Sequence, residues 1–473
     1  MFHINEATVP GLQSAMSRGE LNSRELVLHY LSRIAAVDRC DGGLNSVLEL
    51  NPDALFIADA LDAMRAEGNL LGPLHGIPVM VKDNISTHDK MHTSAGSVAL
   101  QNNYARRDAH IVKLLREAGA VILGKTNMIE FANFMTDGKM PMGYSSRGGT
   151  TLNPYDKTAN PSGSSTGSAV AVSANLCAAA VGTETCGSIM SPAQVNGVVG
   201  IKPTLGLLSR SGVIPISYTF DTAGPMTRTV TDAAIMLGAM AGKDEDDPAT
   251  YNAERMDYTR YLDKDGLKGA RIGISRTYIE EADKEKIEIL EKLIPVLKQH
   301  GARCVDLPDH TLKAGDKYWP ITKNEFKSAM NYYLSEFGGP DAPKNLQEII
   351  TYNKNHAIEA LQYGQSNLIH TQNNASGALT EAEYINGLLA REEMIRALDG
   401  MFTDNGVDVI FFLAGSGLSP LTGFPSMTIP VGTTQDGLPL GSFWVARRFD
   451  EGALLRVGYA LEQILNARRE PGV

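Results

Sequence analysis

Apolar and polar positions follow two rhythms along this chain. Near the N-terminus the rhythm is helical: Leu26, Val27, Tyr30, Leu31 and Ile34 share one stripe, and Ser23 supplies the N-cap for a helix over 23–37. An Ala-rich stretch predicts a second helix over 53–67. The rhythm then shortens. Residues 75–81 read as an apolar strand that ends on Lys82 and enters the polar turn Asp83-Asn84. Helices follow over 108–118, 164–176, 232–241 and 284–299, with strands over 120–123, 178–183, 271–274 and 303–307. Residues 197–204 and 221–225 are packed with small residues and read as turns. From 318 to 401 the pattern is mainly helical. Strands return at 407–413, 426–431 and 440–446, and a helix over 451–467 closes the chain. Such alternation predicts an α/β fold. No internal repeat or low-complexity segment interrupts it.

One stretch breaks both rhythms. Between Asn160 and Met190 two clusters of small and hydroxyl residues, Ser162-Gly163-Ser164-Ser165-Thr166-Gly167-Ser168 and Glu184-Thr185-Cys186-Gly187-Ser188, bracket a run of Ala, Val and Ser without charge. Charged residues make up 21% of the chain, so a long neutral run of small side chains predicts a deep interior element. Buried hydroxyls need partners. The two clusters are expected to supply them to each other, as one active site.

At 473 residues the chain exceeds the usual single-core size, yet no Pro-, Ser- or charge-rich linker divides it, and one compact unit is expected. A net charge of −11 argues against nucleic acid or an anionic membrane as the main partner. Cys40, Cys177, Cys186 and Cys304 lie far apart without metal-ligand spacing, which suggests reduced thiols in the cytoplasm. The opening MFHINEATVP has neither a basic segment nor an apolar core, and no apolar run is long enough to span a membrane.

Three patterns compete for the chemistry. Residues 119–126 (GAVILGKT) match the phosphate-loop expression, but that loop must curl its amides around phosphate, whereas Ala-Val-Ile-Leu reads as a buried strand; Lys125 is then a surface or structural residue. Gly163-Ser164-Ser165-Thr166-Gly167 matches the nucleophile elbow with Ser165 as nucleophile, but an elbow directly follows a strand and needs a downstream acid and histidine. The third pattern joins Lys82, Ser164 and Ser188. A serine attacks an amide only with a base, and a lysine driven neutral by burial can be that base. Asp83 would oppose this unless it faces away, as the neighbour along a strand should.

The third pattern gains weight from resemblance. GIPVMVKDN, NPSGSSTGSAVAV, GTETCGSI and NGVVGIKPT together resemble the amidase signature family of serine hydrolases, across essentially the whole chain to GFPSMTIPVG and DGLPLG. The run TLGLLSRSGVIPIS and DTAGPMTRTVTDAA is most similar to the family's peptide amidase branch. That resemblance implies a large twisted mixed β-sheet covered by helices on both faces, in a single catalytic domain over 1–473. Residues 1–70 would pack on it as helices, and 310–400 would form a helical insertion near the substrate pocket. It implies Ser188 as acylating nucleophile, Ser164 as bridging serine after a cis peptide bond, and Lys82 as base. The oxyanion would lie against the backbone N–H groups of Thr185, Cys186, Gly187 and Ser188. No cofactor or metal is implied. The expected partner is a small-molecule amide, with no nucleic acid or membrane, the chain acting as a monomer or homodimer.

Departures from the family pattern are local. Ser162 and Thr166 stand where glycines are common, and Cys186 where the family has Gly or Asp; a small space-filler at the pocket floor is expected there. The segment after Phe412 is shorter than the family's Pro-rich loop. Ser165 and Thr183 are candidates for holding the relay, and Asp221 and Arg228 for fixing the turn beneath it. Met128, Phe131, Phe134, Met135 and Tyr144 offer either pocket walls or core packing, and an apolar pocket would suit an aryl or amino-acid-derived amide. A glutamine-hydrolysing amidotransferase component of the same family, working in a tRNA-dependent complex, is the alternative.

Overall fold

The computed structural model describes residues 2–277, 284–310, 312 and 315–473. Among them, eleven strands form one mixed sheet. In chain order these are β1 (Val47–Leu50), β2 (Pro78–Lys82), β3 (Val121–Thr126), β4 (Ala179–Glu184), β5 (Val199–Lys202), β6 (Thr222–Thr227), β7 (Arg271–Ser275), β8 (Arg303–Asp306), β9 (Val409–Phe412), β10 (Ser426–Thr428) and β11 (Trp444–Ala446). Across the sheet the order is β1-β3-β2-β4-β6-β5-β10-β11-β9-β7-β8. β2 runs parallel to β3 and β4, and β7 parallel to β8 and β9. The ladders from β4 through β6, β5, β10 and β11 to β9 are antiparallel. Helices cover both faces, the amidase signature fold expected from the resemblance.

Every residue of β2, β3 and β4 is buried, as strands of a parallel sheet covered on both faces must be. The helix Thr166–Ser173 packs against these strands and β6, and all eight of its residues are buried. That accounts for the neutral stretch: a helix with no solvent face cannot carry charge without leaving it unpaired.

Several elements differ from their sequence-based bounds for identifiable reasons. The N-cap of the first long helix is Asn22, which exchanges hydrogen bonds with Glu25 in a capping box; Ser23 is buried and donates to Gly76 O (2.8 Å) instead. That α-helix ends at Arg33 and relaxes into a π turn over Ile34–Asp38. The expected helix over 284–299 is two helices, Lys284–Glu291 and Leu293–Gln299, because Pro295 has no N–H for the Glu291 carbonyl. Residues 197–204 and 221–225, expected as turns, contribute the interior strands β5 and β6. β5 registers on Met226 and Thr227, beyond Pro225, so a proline there costs that ladder nothing. The helical region expected over 310–400 contains Gly315–Glu336, Leu346–Asn355, Ser366–Asn374 and Ala382–Asn405; residues 311, 313 and 314 lie outside the described residues.

Glycine in β6 has a packing cause. A Cβ on Gly224 would stand 2.0 Å from Ile201 O, a backbone atom of a neighbouring strand. Gly224→Ala is therefore expected to destabilise the protein by about 3 kcal/mol or more, the upper range of core overpacking, read as a fall in Tm; an unchanged Tm would contradict this packing.

No helix among the described residues is long and apolar enough to cross a membrane. All four cysteines are free.

Candidate active site

Lys82 ends β2, and Thr183 lies one residue before the end of its parallel neighbour β4. Carboxyl ends of parallel strands are where open α/β sheets place their chemistry. The two serine clusters flank this point, Ser164 and Ser165 just before the buried helix and Ser188 just after β4.

Lys82 is fully buried. Its Nζ lies 2.9 Å from Ser164 Oγ, 2.9 Å from Ser165 Oγ, 2.9 Å from Thr183 Oγ1 and 3.1 Å from Thr183 O. Burial pushes its pKa down to about 7, against a smaller upward pull from Asp221 and Glu184. The surrounding bonds assign the protons. Ser165 Oγ donates to Thr183 O (2.9 Å) and accepts from Thr183 N (3.1 Å), so towards Lys82 it can only accept. Ser164 Oγ has no other hydrogen bond among the described residues, which leaves its proton free to face the amine.

Asp83 faces the other way, as strand alternation requires. Its carboxylate accepts from Ser94 Oγ and Gly96 N and lies 3.5 Å from Arg147. The peptide bond between Gly163 and Ser164 is cis.

The loop after β4 is tied down from within. Thr185 Oγ1 donates to Asp221 Oδ1 (2.6 Å), and Asp221 Oδ2 accepts the N–H groups of Ile216 and Ser217. Burial pushes the Asp221 carboxyl up to about 6. Glu184 Oε2 accepts the N–H groups of Ile189 (2.8 Å) and Met190 (3.0 Å). The carbonyls are engaged too: Gly187 O accepts from Ser191 N and Ser188 O from Ser165 N. The N–H groups of Cys186, Gly187 and Ser188 find no acceptor among the described residues. Gly187 sits at φ +82, which a residue without Cβ adopts at no steric cost. Ser188 itself is 8% exposed, and no hydrogen bond joins its hydroxyl to that of Ser164 among the described residues.

The sequence model of the Amidase family matches residues 25–416. This chain belongs to the amidase family. A relative from Arabidopsis thaliana, named probable amidase, is 38% identical over 99% of this chain and 92% of its own length. The native peptide amidase of Stenotrophomonas maltophilia superposes with a TM-score of 0.92 at 40% identity, covering 100% of this chain and 99% of that one. A glutamyl-tRNA(Gln) amidotransferase subunit from Caldanaerobacter subterraneus is 33% identical over 99% of both chains. The protein is an enzyme that hydrolyses amide C–N bonds.

In this amidase the competing motifs have other duties. Gly124-Lys125-Thr126 lies inside β3, so no phosphate loop forms. Lys125 is buried, not at the surface: Nζ donates to Ile85 O and Thr93 Oγ1 (2.9 Å), and burial pushes it down to about 8. Ser165, with its hydroxyl saturated inside the Lys82 cluster, is no nucleophile elbow. Arg228 donates to Val172, Cys177 and Ala7 carbonyls and fastens the N-terminal segment to the sheet. Cys186 keeps solvent-exposed surface, although protein atoms crowd its thiol. Burial and then the Glu184 carboxylate push its thiol up to about 12, so it is no thiolate at neutral pH.

Met128, Phe131, Phe134 and Met135 belong to a secondary core with Phe326 and Met330, at no more than 2% exposure, so core packing is their role. Tyr144 is half-buried against Tyr363. Tyr318, on the helix Gly315–Glu336, does reach the loop: burial, then Cys186, Asp221 and Glu184, push its phenol well above the usual range. A cavity of about 410 Å³ lies behind Asp221, between Ser217 and the aromatic face of Tyr332, Tyr333 and Phe337; Lys82, Ser164 and Ser188 do not line it.

Sequence reasoning missed Asn84, Glu184 and Glu325. Asn84 Nδ2 donates to Thr183 Oγ1 (3.0 Å) beside Lys82. Buried Glu325 accepts from Ser217, Thr219 and Tyr384, joining the helical region to the loop that holds Asp221. Nothing in the sequence marks Glu325. Glu184 carried a signal, as the one charged residue between Asn160 and Met190.

Proposed function

We propose that this amidase works through a Ser188–Ser164–Lys82 triad and an acyl-enzyme on Ser188. The observation that carries the reading is a fully buried lysine, its pKa pushed down by burial to about 7, hydrogen-bonded to a serine whose proton has no other taker. Ser188 gives its proton to Ser164 as Ser164 gives its own to Lys82, and Ser188 Oγ bonds to the amide carbon. For this the Ser188 hydroxyl turns onto Ser164 once substrate is bound, as catalytic hydrogen bonds often tighten only in the complex. The carbonyl electron pair moves to oxygen, which the N–H groups of Thr185, Cys186, Gly187 and Ser188 receive. The pair returns, the C–N bond breaks, and the proton travels from Lys82 through Ser164 to the leaving nitrogen. Water then attacks the ester, losing its proton along the same path, and releases the acid and Ser188.

The substrate is a hydrophobic, aryl or C-terminal peptide amide. Its side chain meets Tyr318 and the uncharged Cys186, neither of which would favour a charged group. The chain acts as one catalytic domain, with the helices between Gly315 and Asn405 on the substrate side, as a cytoplasmic monomer or homodimer. The likeness to a glutamyl-tRNA(Gln) amidotransferase component supports a second reading, glutamine hydrolysis within a tRNA-dependent complex. A panel of peptide amides, anilides, simple primary amides and glutamine separates the two. The purified chain is expected to hydrolyse peptide amides or anilides with no partner and to leave glutamine intact. Glutaminase activity that appears only with partner subunits would reverse the ranking.

A further inference from the structure

Asn84 is buried in the turn that leaves β2, just beyond Lys82. Its main chain and its side chain both meet Ile214. Asn84 O accepts from Ile214 N (2.7 Å), and Nδ2 donates to Ile214 O (3.4 Å). A carbonyl can only accept, so Ile214 O fixes which end of the amide is the nitrogen. The same nitrogen donates to Thr183 Oγ1 (3.0 Å), while Oδ1 is buried with no hydrogen-bond donor among the described residues. The amide is therefore held by what its nitrogen does, and one of the two oxygens it reaches is the hydroxyl beside Lys82. Through Ile214 it also ties the end of β2 to the loop that carries Asp221 and, by way of Asp221, Thr185.

The protons around Lys82 show what that contact decides. Nζ has Ser164 Oγ, Ser165 Oγ, Thr183 Oγ1 and Thr183 O as neighbours. Ser165 Oγ and Thr183 O can only accept from it, so they take two N–H groups, all that a neutral amine has. The lone pair is then left for the Ser164 proton. A resting ammonium has a third N–H, which Thr183 Oγ1 is placed to accept. The Asn84 N–H already occupies a lone pair of that oxygen and weakens it as an acceptor. We propose that Asn84 is a positioning residue for this reaction: by donating to Thr183 Oγ1 it denies the Lys82 ammonium a full acceptor and keeps the amine neutral and open to the Ser164 proton. The inference rests on the triad proposed above. Asp221 and Glu184 are the carboxylates that act on Lys82, and neither changes in the variants below. Asp83, next along the chain, is held by Ser94 and Gly96 on the other side.

Two substitutions in the full chain test this through the pH profile. Asn84→Asp keeps the shape of the side chain and puts an acceptor where the donor was, so Thr183 turns its proton to residue 84 and frees its lone pairs for Lys82. The ammonium is then favoured, and the acid limb of kcat/KM moves to higher pH. The expected result is a loss of about tenfold or more at about pH 6, with the alkaline plateau within about tenfold of the unmodified enzyme. Asn84→Ala removes the donor without adding a charge, and its limb moves the same way by less, a loss of about threefold at the same pH. A residue needed only for folding would scale kcat/KM equally at every pH and leave the limb in place. An unmoved limb in either variant overturns the inference; should the alanine variant fail to fold, Asn84→Leu, of similar volume, takes its place. Fluorophosphonate labelling keeps the two readings apart. If unmodified enzyme is not labelled on Ser188, the triad is wrong and the inference falls with it. If it is labelled, and the Asn84 variants share its acid limb, only the role of Asn84 is wrong.

Discussion

Lys82→Met is expected to lower kcat by roughly 10²–10⁴-fold, the contribution of a positioned general base. Methionine fills the lysine's volume, and Thr183 O keeps its hydrogen bond from Ser165, so the variant is expected to fold. The unmodified enzyme carries the matching pH dependence. Only the neutral amine can take the Ser164 proton, and burial places its pKa at about 7, so kcat/KM rises with pH through that region and levels off above it. The sign is that of a base whose protonated form is inactive. Lys82→Met loses this limb together with the rate. Steady-state kinetics from about pH 5 to 9 on a peptide amide or anilide check both statements, a range that brackets the expected transition. Rates within tenfold of the unmodified enzyme at about pH 8, where the amine should be largely neutral, would refute the base assignment.

Ser188→Ala should cost more, roughly 10⁴–10⁶-fold in kcat, because no acyl-enzyme can form without the hydroxyl. Substrate affinity should survive, since the backbone of the loop still carries its N–H groups. An anilide substrate makes the distinction measurable: the unmodified enzyme is expected to release aniline with a burst if deacylation limits turnover, and Ser188→Ala to show no burst and no steady rate. Substantial turnover by Ser188→Ala would place the nucleophile elsewhere.

How far the sequence revealed this site depends on the residue. Lys82 and the serines of the proposed triad were legible because their signals are local: a lysine ending an apolar strand, and hydroxyl clusters at both ends of a neutral run. The neutral run was itself readable as interior, since no solvent-facing helix lacks charge over such a length. The strands β5 and β6 were not legible. β6 carries Gly224 and Pro225, and β5 carries Gly200 with Pro203 just beyond it, residues that usually signal turns; the approach of Gly224 to Ile201 and a β5 register beyond Pro225 show how the strands accommodate them. The aromatic and methionine residues from Met128 to Met135 were ambiguous in the sequence, because pocket lining and core packing draw on the same side chains. Glu325 and Asn84 act across long sequence separations, through contacts that no spacing along the chain announces. Glu184 shows the intermediate case. It is the one charged residue between Asn160 and Met190, but its hydrogen bonds reach a turn five residues ahead whose geometry only the folded chain supplies.

The mechanism turns on which hydroxyl becomes acylated. Three side chains that such a reagent could mark lie within this small region: Ser188 after β4, Ser165 in the Lys82 cluster, and Cys186. Reaction with a fluorophosphonate, followed by peptide mapping of the phosphonylated residue by mass spectrometry, distinguishes them in one experiment. The triad predicts a single modification on Ser188, accompanied by loss of amidase activity and abolished in Lys82→Met. Modification of Ser165 or Cys186 with Ser188 untouched would contradict it.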